Sequence, residues 1–171
     1  HLPQLKTKTI MSVKYSNTTS DYLEWNVMLN LVRRLYKDGN YRMSLLIGLS
    51  SFIGTRISDT LTLTWDMIYD TDSFTIIEKK TGKKRIIKIN DSFQKHIKDC
   101  FNALNIKDRN EKCFLSNKKS VYTVQRVNVI LKEIKEKYNI KIEHFSTHSL
   151  RKTFGRKVVE NAGENSEMAL I

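Results

Sequence analysis

The sequence predicts an α+β domain, mostly helical, with one small antiparallel β-hairpin near its middle. Three observations predict it. Apolar residues recur at helical spacing over most of the chain, and two β-branched runs flank a Lys-rich Thr-Gly turn between residues 73 and 89. At 171 residues with 40% hydrophobic content, the chain suits one compact core and is too short for two comfortable ones.

Residues 1–19 hold the only proline, a basic KTK and a polar SNTTS run, and read as an arm or linker leading into a domain over 20–171. From Asp21, with Glu24 three residues on as in a capping box, Tyr22, Trp25, Met28, Leu29, Val32 and Leu35 mark an amphipathic helix that stops at Gly39. The next segment, YRMSLLIGLSSFI, is apolar on nearly every side, as suits a helix buried in the middle of the domain, and it ends at Gly54. Thr55 is then placed to cap a short helix, RISDTLTL, with Trp65 and Ile68 packing the turn that follows.

After the hairpin, SFTIIEKKTGKKRIIKI, a helix is expected from Asp91 to Leu104, then a short strand or extended piece at CFL. Val124, Val127, Ile130, Leu131, Ile134 and Tyr138 form one stripe of a long helix whose KEIKEK face meets solvent. Thr147 is read as the cap of HSLRKTFGRKVVENA, in which Leu150, Phe154 and Val158 recur every four residues and Gly163 marks the end. Ser166 and Glu167 read as the start of a further helix, so the domain is expected to be incomplete at its carboxyl end.

Thirty Lys and Arg against eighteen Asp and Glu leave a net charge of +12 and a pI near 9.7, the electrostatic footprint of a phosphate-rich partner such as nucleic acid. Charge names a polymer, not a reaction. Cys100 and Cys113 lie far from any paired Cys/His spacing, so free thiols and no metal site are expected. No apolar run reaches membrane-spanning length and the first ten residues lack a secretion signal, so the expected location is cytoplasmic.

Three clusters carry candidate chemistry. Arg56 stands in the opening turn of a helix, where free backbone amides favour a phosphate and a guanidinium can grip two of its oxygens. Asp59, three residues on, is expected to hold that guanidinium; an ordinary surface ion pair is the competing reading. His148 and Arg151 stand side by side on the last helix, one able to exchange protons near neutral pH and the other to stabilise phosphate charge, and Gly155 leaves that face open. An exposed basic helix would look the same. Between them the hairpin turn presents Lys79, Lys80, Lys83, Lys84 and Arg85, a density that either binds backbone nonspecifically or delivers one lysine to a reacting group.

The conjunction is more specific than any one cluster. IGTRISDTLTLTWDMI resembles the Gly-x-Arg-x-Ser-Glu box of the tyrosine recombinase (phage-type integrase) family, with Asp59 where Glu is usual, and HSLRKTF resembles its His-x-Leu-Arg box. The resemblance runs from about Asp21 to the end of the chain. It implies the family's catalytic domain, with Arg56 and Arg151 as the scissile-phosphate clamp, His148 as a proton-transfer partner and Asp59 in support. Lys80 falls where the family's hairpin lysine acts as general acid, with Lys83 as the alternative. Thr55, Lys79, Lys83, Lys84, Arg85 and Lys152 are expected to contact DNA.

The implied reaction is attack of a tyrosine on a DNA phosphate, giving a 3′-phosphotyrosine link and then strand exchange, with no metal or nucleotide cofactor. The family's nucleophilic Tyr lies downstream of the His-x-Leu-Arg box, beyond Ile171, and none of the seven tyrosines here replaces it. The fragment is therefore expected to be inactive and monomeric, the full-length protein tetrameric on paired duplex sites, and residues 1–19 the linker from an amino-terminal core-binding domain. A bacterial mobile element is the expected source. Two other readings remain open at this point: a type IB topoisomerase-like enzyme and a noncatalytic basic DNA-binding module.

Overall fold

The computed structural model describes residues 21–164, and its architecture is the expected one: seven helices around a two-stranded antiparallel sheet among those residues. The arm read over 1–19 and the helix start read at Ser166 and Glu167 lie outside the described residues.

Helix α1 (Trp25–Lys37) buries Met28, Leu31, Val32 and Leu35, and Gly39 just past its end takes a left-handed φ of 82°. Its start differs from the expected capping box. Glu24 itself occupies the cap position and makes no side-chain cap bond, so Asp21 lies outside the helix. What holds this entry in place is distant in sequence: the buried Leu23 N–H donates to Thr153 Oγ1 at 2.9 Å, and Thr153 in turn donates to Ser149 O.

Helix α2 (Tyr41–Ile53) is the centre of the domain, as its all-round apolar sequence requires; Leu45, Leu46, Ile47 and Leu49 are fully buried. It packs against α1, α5 (Asp91–Ala103) and α7 (Thr147–Glu164). Gly48 lets α5 approach, since a Cβ there would stand 3.0 Å from the Phe93 ring. α5 is capped as Asn residues prefer, with Asn90 Oδ1 accepting from the Phe93 N–H at 2.8 Å.

Two short helices, α3 (Ile57–Thr60) and α4 (Trp65–Ile68), follow α2, with Trp65 and Ile68 fully buried. β1 (Ser73–Ile77) and β2 (Lys84–Lys88) then pair with Ser73 opposite Lys88 and Ile77 opposite Lys84. Phe74, Ile76 and Ile87 face the core while Ile77 and Ile86 face solvent, the period-two alternation of a sheet covered on one side. The CFL segment is an extended piece, tied by single bridges Thr64–Lys112 and Leu115–Val121. α6 (Val124–Lys137) buries Val127, Leu131 and Ile134, and Thr123 caps it through the Arg126 N–H.

The last helix departs from expectation in three details. Thr147 is its first helical residue, not its cap, and its N–H donates to Asn128 Oδ1 on α6 at 2.9 Å. Leu150 is buried and Phe154 half-buried, but Val158 is 36% exposed, so the apolar stripe leaves the core after two turns. The helix also continues through Gly163 to Glu164. Among the described residues no helix is long and apolar enough to cross a membrane, and both cysteines are buried free thiols.

Candidate active site

The site is assembled on the junction between α2 and α3. Gly54 ends α2 in the left-handed conformation (φ 64°), a backbone state that costs a residue with a Cβ about 1 kcal/mol or more. A second constraint is tighter. A Cβ at Gly54 would stand 2.0 Å from Phe154 Cδ1, because the aromatic ring of α7 lies directly on the junction. The glycine before Arg56 and the phenylalanine three residues after Arg151 therefore form one contact, and it fixes the two boxes against each other.

Two arginines then seize the carbonyls that the end of α2 leaves unpaired. Arg151 Nε donates to Gly54 O at 3.1 Å, and Arg85 Nη2, reaching over from β2, donates to Ile53 O at 3.0 Å. Both guanidiniums also meet the negative end of a 13-residue helix, which favours positive charge there. Holding Arg151 through Nε leaves its terminal nitrogens available for a bidentate grip on a phosphate. Arg85 and Arg151 line an open cleft of about 600 Å³ together with His148, Lys152, Ser146 and Asp21. His148 is exposed, on the turn of α7 next to Arg151.

Arg56 sits two residues past Gly54, but not as the sequence suggests. It occupies the cap position of the four-residue α3 with extended ψ (143°), so it is outside the helix. Its partner is Glu78 in the hairpin: Arg56 Nη1 to Glu78 Oε2 is 2.6 Å, a half-buried ion pair. Asp59 is 1% exposed, and its Oδ1 accepts from the Lys79 N–H at 3.1 Å while Oδ2 has no hydrogen-bond partner among the described residues. The expected Arg56–Asp59 pair is thus replaced by Arg56–Glu78, with Asp59 docking the hairpin backbone.

One other expected contact is also corrected. Thr55 neither caps α3 nor reaches solvent; it is 1% exposed and its hydroxyl is bonded to Thr60 Oγ1 at 2.7 Å. Lys152 is paired with Asp21 Oδ2 at 3.7 Å, so in this arrangement it is a tethered charge at the cleft's edge.

The hairpin turn carries the lysines on its outside. Gly82, at φ 67°, closes it by donating to Glu78 O at 2.8 Å, and the Glu78 N–H donates to Lys83 O at 2.9 Å. Lys79, Lys80, Lys83 and Lys84 are all exposed. None of the described tyrosines is among the residues lining the cleft. The Tyr138 hydroxyl donates to Asp38 Oδ2 at 2.5 Å, and burial, reinforced by that bond, pushes its pKa up to about 12. Burial pushes the Cys100 thiol up to about 12 and raises Cys113 further, so neither offers a thiolate near neutral pH.

Sequence reasoning missed Glu78 and the role of Phe154. For Glu78 the available signal was its place: a lone carboxylate at the end of a β-branched run, immediately before five basic residues within seven positions.

Solved structures of similar fold are recombinases. XerA recombinase superposes with a TM-score of 0.69 at 20% identity, covering 83% of this chain and 52% of that one. XerH, in a post-cleavage complex with its palindromic difH substrate, gives 0.66 at 17% identity over 84% of this chain and 43% of its own. The lambda integrase catalytic core gives 0.64 at 18% identity, covering 82% of this chain and 87% of that one. The present chain thus spans about half the length of the Xer chains and most of the isolated lambda core. A search of curated protein sequences finds no match. The family model described as "Phage integrase family" matches residues 22–168, a span that holds both arginine boxes and the hairpin between them, and the chain belongs to that family.

Proposed function

We propose that this domain is the catalytic domain of a site-specific DNA recombinase, which cuts and rejoins duplex DNA through a 3′-phosphotyrosine intermediate. The observation that carries the reading is that Arg85 and Arg151 bond the Ile53 and Gly54 carbonyls just before Arg56, with Arg85 and Arg151 lining one cleft with an exposed His148 and Arg56 tied to the hairpin that bears Lys80. Arg56, held by Glu78, and Arg151, held by Gly54 O, supply a preorganised seat for a phosphate whose charge grows in the transition state, and Arg85 adds positive charge beside the junction.

In this mechanism Arg56 and Arg151 bind the non-bridging oxygens. The tyrosine oxygen attacks phosphorus, the bond to O5′ breaks, and Lys80 gives its proton to the departing O5′; Lys83 is the alternative donor. His148 exchanges a proton with the non-bridging oxygens or the nucleophile. The covalent link conserves the phosphodiester energy, so rejoining uses a 5′ hydroxyl as the attacking group and needs no nucleotide. Arg85, Lys79, Lys83 and Lys84 hold flanking backbone phosphates. Asp59 supports the site by docking the hairpin. Since no described tyrosine lines the cleft, the nucleophile is supplied from outside the described residues, and assembly into a tetramer on paired duplex sites belongs to the full-length protein, acting in a bacterial cytoplasm.

The test is a nicked duplex that traps the covalent intermediate. A full-length protein should give a denaturation-resistant adduct, while the 171-residue chain should give none and should bind duplex with an affinity that falls steeply between about 50 and 200 mM salt. No adduct from the full-length protein sinks the enzyme reading in favour of a binding module. Relaxation of supercoils without joining of two sites would make it a topoisomerase.

A further inference from the structure

We propose that Glu78 is a positioning residue: it locks Arg56 and the lysine-bearing turn into one arrangement, so that the phosphate clamp and the general acid address the same phosphate. The inference rests on the catalytic reading above.

One residue makes all three connections. Its N–H donates to Lys83 O at 2.9 Å and its carbonyl accepts from the Gly82 N–H at 2.8 Å, which closes the turn containing Lys80. Its carboxylate takes Arg56 Nη1 at 2.6 Å. The neighbouring Lys79 N–H meets Asp59 Oδ1 at 3.1 Å, so residues 78 and 79 dock together on residues 56 and 59. Lys80 is the next residue along, which makes this the last fixed point before the proposed acid. A two-stranded sheet is marginal by itself, so the turn's position over the junction depends on such ties.

The form of the ion pair also matters. It is partly shielded from water, with side-chain exposures of 29% for Arg56 and 14% for Glu78, so it holds its geometry better than a surface pair. It engages one nitrogen of a group with five N–H donors, which leaves the remaining donors for phosphate. Glu78 therefore orients Arg56 without occupying it. The opposing possibility is that Glu78 is only a competing counter-ion that must leave before phosphate can bind, and the two ideas predict opposite signs.

Glu78→Gln keeps the side chain's length and removes its charge. In a full-length protein, single-turnover cleavage of the nicked duplex should fall by on the order of tenfold to a hundredfold, because misplacing a catalytic group by about 1 Å has consequences of that size. Affinity for duplex and the melting temperature should stay near wild type, which a merely structural role would not allow. Glu78→Ala should match it. In an Arg56→Ala background, Glu78→Gln should change the rate by less than about twofold, since it acts through the residue already removed. Cleavage by Glu78→Gln as fast as wild type or faster overturns the proposal in favour of the counter-ion. A loss that multiplies fully on Arg56→Ala overturns it by showing independent action. If the wild-type protein forms no adduct, the catalytic reading fails and this inference falls with it.

Discussion

The α2–α3 junction and the hairpin turn contribute to the same site by opposite means. At the junction, position is set by packing: Gly54 is pressed against Phe154, Thr55 and Asp59 are buried, and two carbonyls are bonded by Arg85 and Arg151. At the turn, position is set by polar ties, and Lys79, Lys80 and Lys83 stand exposed on the loop of a two-stranded sheet, with Lys84 exposed at the start of β2. The proposed clamp is thus anchored on the core, where displacement is costly, while the proposed proton donor is carried on a turn held by fewer contacts. Substitutions at the junction should therefore act through stability and substitutions at the turn through rate.

Gly54→Ala tests the first half and should have the largest effect. The left-handed φ and the clash with Phe154 together should destabilise the 171-residue chain by about 2–4 kcal/mol, read as a drop in melting temperature. Phe154→Ala introduced beside it should recover part of that loss, because it removes the clashing ring. Equal stability of wild type and Gly54→Ala would show that the junction is looser than its geometry implies.

Lys80→Ala tests the second half. Melting should stay within about 0.5 kcal/mol of wild type, as for other exposed side chains, while cleavage by a full-length protein slows by about a hundredfold or more. Replacing the leaving oxygen with sulfur, whose thiolate departs without a proton, should restore the rate. Rescue at Lys83 in place of Lys80 moves the acid three residues along, and no slowing at either reduces the turn to a phosphate-binding loop. Lys84→Ala should weaken binding and leave the chemical step alone.

A smaller effect comes from α5, away from both regions, and serves as their control. His96 Nε2 lies 3.1 Å from Ser44 Oγ, and since that hydroxyl donates to Val32 O, the ring nitrogen is the donor to it. Burial holds its pKa below the ordinary value of 6.5. The folded state therefore binds fewer protons than the unfolded one at mildly acid pH. Stability should be full above pH 6.5 and decline as pH falls through it, by at most about 1.4 kcal/mol per unit. His96→Phe should flatten that slope in thermal melts; an unchanged slope would place the acid sensitivity elsewhere.

Much of this was legible in the chain. Apolar spacing located α1, α6 and the first turns of α7, an all-round apolar run located α2, and β-branched runs around Thr81–Gly82 located the hairpin. Helix ends were less legible. Glu24 and Arg56 replace the expected boundary residues at a helix start and Thr147 is helical rather than a cap, since a capping side chain has to compete with bonds from other elements, such as Thr153 to Leu23 and Asn128 to Thr147.

The sequence by itself determined the fold class, the basic character and which residue types stand ready in each box, because periodicity, charge and turn chemistry act over a few residues. Tertiary structure decided who holds whom. The expectation that Asp59 holds Arg56 assumed a helix running through both, but Arg56 is extended and α3 is four residues long, so the three-residue neighbour rule does not apply. Freed from that geometry, Arg56 pairs with a carboxylate 22 positions away, and Gly54 is required by a ring 100 positions away. Such partners depend on how the helices and hairpin pack, a property of the whole core that no local spacing records.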